Sequence, residues 1–214
     1  MKEGGSELAA KLEKPKPLDA DPWGVAAGRF PKAKIVAVET DPLAVLLLRA
    51  NTTVRGIAER VQIKLQDYRS LTLATVKGAT LFIGNPPYVR HHDISAEWKN
   101  WLAKEAATLG FKASKLSGLH VHFFLKTRLI GRSGDYGAFI TAAEWLDVNY
   151  GRLMREMLAD GMGGSAVHLI DPRSNPFADA LTTGAITCFQ IGNRPDQLTM
   201  QRVSNLSELN KLDG

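Results

Sequence analysis

The sequence predicts an α/β fold, an open and mostly parallel sheet with helices on both faces. Three observations predict it. Short apolar or β-branched runs recur along the chain, each bounded by turn residues. Segments with helical spacing alternate with these runs, as in sheets built from strand–helix units. Most of the runs are apolar throughout rather than alternating, as expected of strands covered on both faces.

Residues 1-24 read as an irregular arm or an altered first motif. Lys11 to Lys16 is charged and punctuated by proline, and Asp19-Ala20-Asp21-Pro22 is turn chemistry. Regular patterning begins at Lys34. Ile35-Val36-Ala37-Val38 is a short buried strand, and Asp41-Pro42 supplies an N-cap and a first-turn proline for a helix through Ala50. Val61-Gln62-Ile63-Lys64-Leu65 alternates like a strand, and Ala79 to Ile83 is a further apolar strand ending at Gly84. Helices are expected over Ala96 to Leu109 and over Leu119 to Ile130, the latter with Leu119, Phe123 and Ile130 on one face. Gly137 to Thr141 reads as a strand and Trp145 to Leu158 as a helix. Val167-His168-Leu169-Ile170 and Ala185 to Ile191 complete the strands. The polar tail from Asn193 is expected to be peripheral. The organisation is thus an arm (1-24), an α/β domain (25-192) and a tail (193-214).

Bulk properties set limits. The 214 residues are enough for one large domain, with 44% hydrophobic and 23% charged residues, as in ordinary globular proteins. No apolar run reaches the roughly 20 residues of a membrane span, and the first residues do not resemble a secretory signal. The single cysteine, Cys188, excludes an internal disulfide framework and fits a reducing, cytoplasmic location. A net charge of +5 suits a polyanionic partner without identifying one.

In open α/β sheets, ligands bind beyond the carboxyl ends of the strands. Glu39, Asp67 and Asn85 each follow, or nearly follow, such an end. The most informative feature is Asn85-Pro86-Pro87-Tyr88. As bare turn punctuation, this tetrapeptide would arise by chance about once in a thousand chains of this size, and its placement after Leu81-Phe82-Ile83-Gly84 narrows that further. The chemistry explains the residue types. An exocyclic amine of adenine is a poor nucleophile because its lone pair is delocalised into the ring. Two acceptors, the Asn85 side-chain oxygen and the Pro86 carbonyl, would favour a pyramidal, more nucleophilic nitrogen. The prolines fix the local backbone, so the carbonyl direction is preset. Tyr88 offers an aromatic face for a base removed from the duplex stack.

Ile83-Gly84-Asn85-Pro86-Pro87-Tyr88-Val89-Arg90 resembles the catalytic motif of the adenine-N6 DNA methyltransferases of restriction–modification systems. The resemblance implies a Rossmann-like, class I methyltransferase sheet, S-adenosylmethionine as methyl donor, and DNA with a flipped adenine as substrate. Val36 to Pro42 resembles the family's second cofactor strand, so that Glu39 would hold the ribose hydroxyls. Lys64-Leu65-Gln66-Asp67-Tyr68 resembles the next motif, which makes Asp67 the partner of the cofactor adenine amine. Gly137 to Thr141 with Glu144-Trp145-Leu146 and Tyr150-Gly151 resembles the strand and helix after the catalytic loop. Asn175-Pro176-Phe177 resembles the segment offering a second aromatic, Phe177, to the flipped base. The likeness runs from about Ala26 to Gln190.

Two departures qualify it. The family's first cofactor motif is a strand, an acidic residue and a Gly-x-Gly loop. Here Leu18 to Phe30 holds Asp19, Gly24 and Gly28 without that loop, so an incomplete cofactor site is expected, with Asp19 its nearest acidic match. The residues after Ile191 are too few for a target recognition domain, so recognition is expected from a separate domain or subunit. Other chemistries fit less well. His91-His92 and His120-x-His122 lack metal-site spacing, so no metal is expected. The serines lack a nucleophile elbow, and the Gly-x-Gly-x-x-Gly of a dinucleotide oxidoreductase is absent. The remaining alternatives are methylation of RNA or of a protein glutamine, and an inactive remnant that binds nucleic acid or a subunit.

Overall fold

A computed structural model describes residues 22–174 and 183–211. The chain divides into two compact units, Met1–Leu71 and Thr72–Gly214.

In the first unit, helix α1 (Pro22–Arg29) precedes strand β1 (Ile35–Glu39), helix α2 (Pro42–Val54) and strand β2 (Val61–Leu65). The strands pair in parallel, Ile35 opposite Val61 through Glu39 opposite Leu65. Helix α2 starts where the sequence places it. The Asp41 carboxylate accepts from the Leu43 amide at 2.8 Å, with Pro42 in the first turn. The helix ends at Gly56, whose φ of +67° favours glycine. Ala37, Leu48 and Val61 form a small core with Ile35, Ile57 and Ile63. The Arg60 guanidinium donates to the carbonyls of Ala27, Phe30 and Ala33, fixing the end of α1 beside the start of β2. Residues 22–29, expected to be partly irregular, are helical.

The second unit holds strands β3 (Leu81–Gly84), β4 (Tyr136–Ala142), β5 (Gly164–Ile170), β6 (Gly184–Gln190) and β7 (Thr199–Val203). Its helices are α3 (Ala96–Thr108), α4 (Leu119–Ile130) and α5 (Arg152–Ala159). The strand order is β3-β4-β6-β5-β7. β3 and β4 are parallel, as are β5 and β7, whereas β6 runs antiparallel to both β4 and β5. Consequently β3, β4 and β5 point the same way, and their carboxyl ends share one edge of the sheet.

The core centres on Phe124, Phe139 and Phe189, whose ring centroids lie 5.1 to 6.0 Å apart. Gly137 lies directly beneath the Phe189 ring, and a Cβ there would come within 2.1 Å of it, so only glycine fits. The expected α4 face needs correction. Val121, His122, Phe124, Leu125 and Thr127 are the buried residues, while Leu119, Phe123 and Ile130 are half-buried. The helix is apolar on most of its circumference, so spacing alone does not select the inner face.

Two further differences are local. Trp145 to Leu158 is not one helix but two 3-10 turns, Ala143–Leu146 and Asn149–Gly151, followed by α5. The Arg155 guanidinium donates to the carbonyls of Trp145, Leu146 and Val148, and a Cβ on Gly151 would fall 1.8 Å from the Trp145 oxygen. The turns are thus folded tightly against α5. In the tail, Thr199–Val203 is a strand of which only Val203 is buried. An edge strand held by backbone bonds needs little apolar patterning, so the sequence does not reveal it.

Candidate active site

The loop that follows β3 carries the tetrapeptide. Its position is set at the other end of the strand by Asp135, which is 2% exposed. One Asp135 oxygen accepts from the Thr80 amide at 2.7 Å and the other from the Arg132 amide at 2.8 Å. This links the chain entering β3 to the chain entering β4 and fixes the register of Leu81 opposite Tyr136. Gly84 then ends the strand opposite Phe139, and Asn85 emerges at the sheet edge.

Pro86 is buried, whereas Asn85, Pro87 and Tyr88 are exposed. The Pro87 carbonyl accepts from the Val89 amide at 2.9 Å, which closes a tight turn around Tyr88. The Val89 carbonyl in turn accepts from the Leu119 amide at 3.0 Å, pinning the loop to the first residue of α4. A Cβ on Gly118 would sit 3.2 Å from that carbonyl and 3.1 Å from the His120 ring, so the loop approaches the helix closely. Tyr88 keeps 46% of its surface exposed, and partial burial pushes its phenol up to about 12. The ring is therefore reachable and its hydroxyl protonated at working pH. This is a side-chain amide and a half-exposed aromatic ring on a backbone stiffened by two prolines.

The loop after β4 leaves the sheet at the same edge. The Tyr150 hydroxyl donates to a Glu144 carboxylate oxygen at 3.3 Å. Burial, the Glu144 charge and that hydrogen bond raise the Tyr150 pKa, while the Arg90 charge opposes them. Arg90 follows the tetrapeptide loop in the sequence. The sequence places these residues in the right segment but gives no sign of the contact.

The candidate cofactor acids lie in the first unit, at the ends of two paired strands. A Glu39 oxygen accepts from the amides of Thr40 and Asp41 at 2.7 and 3.0 Å, and the Glu39 carbonyl accepts from the Gln66 amide at 2.9 Å. Asp67 lies two residues beyond β2. Its carboxylate accepts from the Arg69 amide at 2.7 Å and from the Arg69 guanidinium at 2.9 and 2.6 Å. Arg69 is 10% exposed and Asp67 31%. The two acids thus follow the ends of neighbouring strands, each held in a fixed orientation by donors of its own turn. Gly24 and Gly28 lie on helix α1, Gly24 buried and Gly28 with open space beside it, and form no loop. Asp19 and Phe177 lie outside the described residues.

Comparison with known proteins gives a consistent result. Residues 74–168 match the Eco57I restriction-modification methylase family. Over 189 residues, 88% of the chain, the sequence is 51% identical to the type II methyltransferase M.XamI of Xanthomonas campestris pv. amaranthicola, covering 36% of that protein. The chain spans about a third of the length of the curated relatives it matches. The type IIG restriction endonuclease BpuSI superposes with a TM-score of 0.66 and 18% identity, over 86% of this chain and 22% of that one. A class I S-adenosylmethionine-dependent methyltransferase from Listeria monocytogenes superposes with a TM-score of 0.56 and 13% identity, over 80% of this chain and 50% of that one. The chain is related to restriction–modification methyltransferases, and its fold is the class I S-adenosylmethionine-dependent methyltransferase fold. No helix among the described residues is long and apolar enough to cross a membrane.

Proposed function

We propose that this chain is the catalytic part of a DNA methyltransferase of a restriction–modification system, transferring methyl from S-adenosylmethionine to the N6 amine of adenine. The observation that carries the reading is Asn85-Pro86-Pro87-Tyr88 at the carboxyl end of β3, anchored through Val89 to α4 and open to solvent at Asn85 and Tyr88. The Asn85 oxygen and the Pro86 carbonyl accept the two N–H groups of the amine, drawing its lone pair out of conjugation. Tyr88 stacks on the extruded base, with Phe177 as a second aromatic contact.

The cofactor supplies an activated methyl group on a sulfonium centre. Asn85 and Pro86 would hold the amine nitrogen toward that methyl group, with its released proton passing to water. Glu39 would hold the ribose hydroxyls and Asp67 the adenine amine of the cofactor, and Asp19 is a further candidate contact. The fixed orientations of Glu39 and Asp67 fit those roles. Sequence recognition is assigned to a further domain or subunit, and the DNA substrate places the protein in the cytoplasm.

The test is transfer of labelled methyl from S-adenosylmethionine to plasmid DNA, with Asn85→Ala as the control. Loss of transfer by about 100-fold or more with an unchanged fold is expected, since a fixed acceptor at the reacting centre is removed. Undiminished activity in that variant refutes the assigned role. Acceptance by ribosomal RNA or a protein, and not by DNA, refutes the substrate.

A further inference from the structure

The chain uses the sequence Asp-x-Arg-Ser twice, each time just after a strand. Asp67-Tyr68-Arg69-Ser70 follows β2, and Asp171-Pro172-Arg173-Ser174 follows β5. The two turns are built alike. In the second, the Asp171 carboxylate accepts from the Arg173 amide at 2.9 Å and from its guanidinium at 3.0 and 2.7 Å. Their surroundings differ. Arg69 is 10% exposed, so its guanidinium serves the interior of its own unit. Arg173 is 89% exposed, while its partner Asp171 is 13% exposed. The aspartate is built into the sheet edge, and the guanidinium is held outward.

Stability does not explain this arrangement, because an ion pair with so exposed a partner contributes little. The pair does fix the direction of a flexible side chain. Two of the five guanidinium N–H donors bind Asp171, and the others face solvent. The Asp171 amide also donates to the Val203 carbonyl at 3.0 Å, so the turn is tied to β7. Arg202, on the same strand, pairs with Leu169 in register and keeps the local charge positive.

The location is informative. β5 is parallel to β3; the register sets Val167 level with Gly84, so Ile170 lies three residues further toward the same end of the sheet. Three strand spacings across and three residues along the strand separate Gly84 from Ile170, about 17 Å. That is roughly five base-pair steps of duplex at 3.4 Å each.

We propose that Arg173, oriented by Asp171, is a DNA phosphate-binding residue that contacts the backbone flanking the target adenine. The inference rests on the methyltransferase reading and adds a specific contact to it. A guanidinium with a preset fork matches phosphate oxygens closely and loses little side-chain freedom on binding. Being a phosphate contact, it positions the duplex without reading sequence.

The experiment is fluorescence anisotropy of a short labelled DNA duplex titrated with the protein across a range of salt concentrations. Arg173→Ala is expected to weaken binding about ten- to a hundredfold at low salt, as for one lost hydrogen-bonded charge contact. It should also reduce the slope of log affinity against log salt by about 1. Arg173→Lys should keep the slope and lose part of the affinity, because the charge remains without the fork. A wild-type protein that binds DNA and an Arg173→Ala protein with the same affinity and slope overturn this proposal and leave the methyltransferase reading standing. A folded wild-type protein that binds no DNA even at low salt overturns both.

Discussion

Asp135 ties the position of the Asn85–Tyr88 loop to the stability of the second unit, and replacing it with alanine tests that link. Its two oxygens accept from the Thr80 amide at 2.7 Å and the Arg132 amide at 2.8 Å, and the residue is 2% exposed. A hydrogen bond to a charged group contributes about 1.5–3 kcal/mol, so removing both gives a gross loss of about 3–6 kcal/mol. Arg132 has a half-exposed side chain, 41% accessible, and its turn can be partly resolvated. The expected destabilisation is therefore near the lower end, about 3 kcal/mol. Asp135→Asn keeps one acceptor but turns an N–H toward the other amide, which should cost about 2 kcal/mol. The assay is urea unfolding followed by tryptophan fluorescence, since Trp98, Trp101 and Trp145 all lie in this unit and Trp145 is 1% exposed. With a slope of about 2 kcal/mol per molar urea, the alanine midpoint should fall by about 1.5 M. A fall below about 0.5 M would show that water replaces both bonds and that the entry into β3 is fixed by other contacts.

Two other perturbations probe the site and its support. Tyr88→Ala should weaken binding of an adenine-containing single strand by about 1–3 kcal/mol while Tyr88→Phe does not, because the half-exposed ring and not the hydroxyl carries stacking; equal affinity of the alanine variant in an anisotropy titration contradicts this. His120, whose ring lies beside Gly118, has an Nε2 that is buried without a hydrogen-bond partner, and burial lowers its pKa to about 4. Its folded pKa lies below its unfolded value of 6.5, so the stability it contributes is present above pH 6.5 and is lost as pH falls through 4. The loss is at most about 3 kcal/mol. Urea midpoints compared between neutral and mildly acidic pH should show a smaller drop for His120→Asn than for the parent protein, and identical drops refute the assignment.

The features legible in the sequence are those in which a residue type has one local job. Asp41 and Pro42 start α2 where read, α4 runs from Leu119 to Ile130 as expected, and the tetrapeptide stands at a strand end. What escaped the reading depends on partners distant in sequence. Gly137 opens a strand in the sequence with no sign that Phe189 covers it, and nothing near Asp135 announces that Thr80, 55 positions away, donates to it. Trp145 to Leu158 has helical spacing, but Arg155 draws three carbonyls onto itself and Gly151 closes on the Trp145 oxygen. Local propensity cannot anticipate either contact. The two Asp-x-Arg-Ser turns sharpen the point. Their sequences and hydrogen bonds nearly coincide, yet one guanidinium is enclosed and the other is presented to solvent. A short motif specifies a local geometry, and the sheet position that carries it determines what that geometry faces. The same logic applies to Asn85-Pro86-Pro87-Tyr88. The tetrapeptide sets where an amide and a ring point, while Asp135 at one end of β3 and Leu119 beyond the other bring them to the sheet edge.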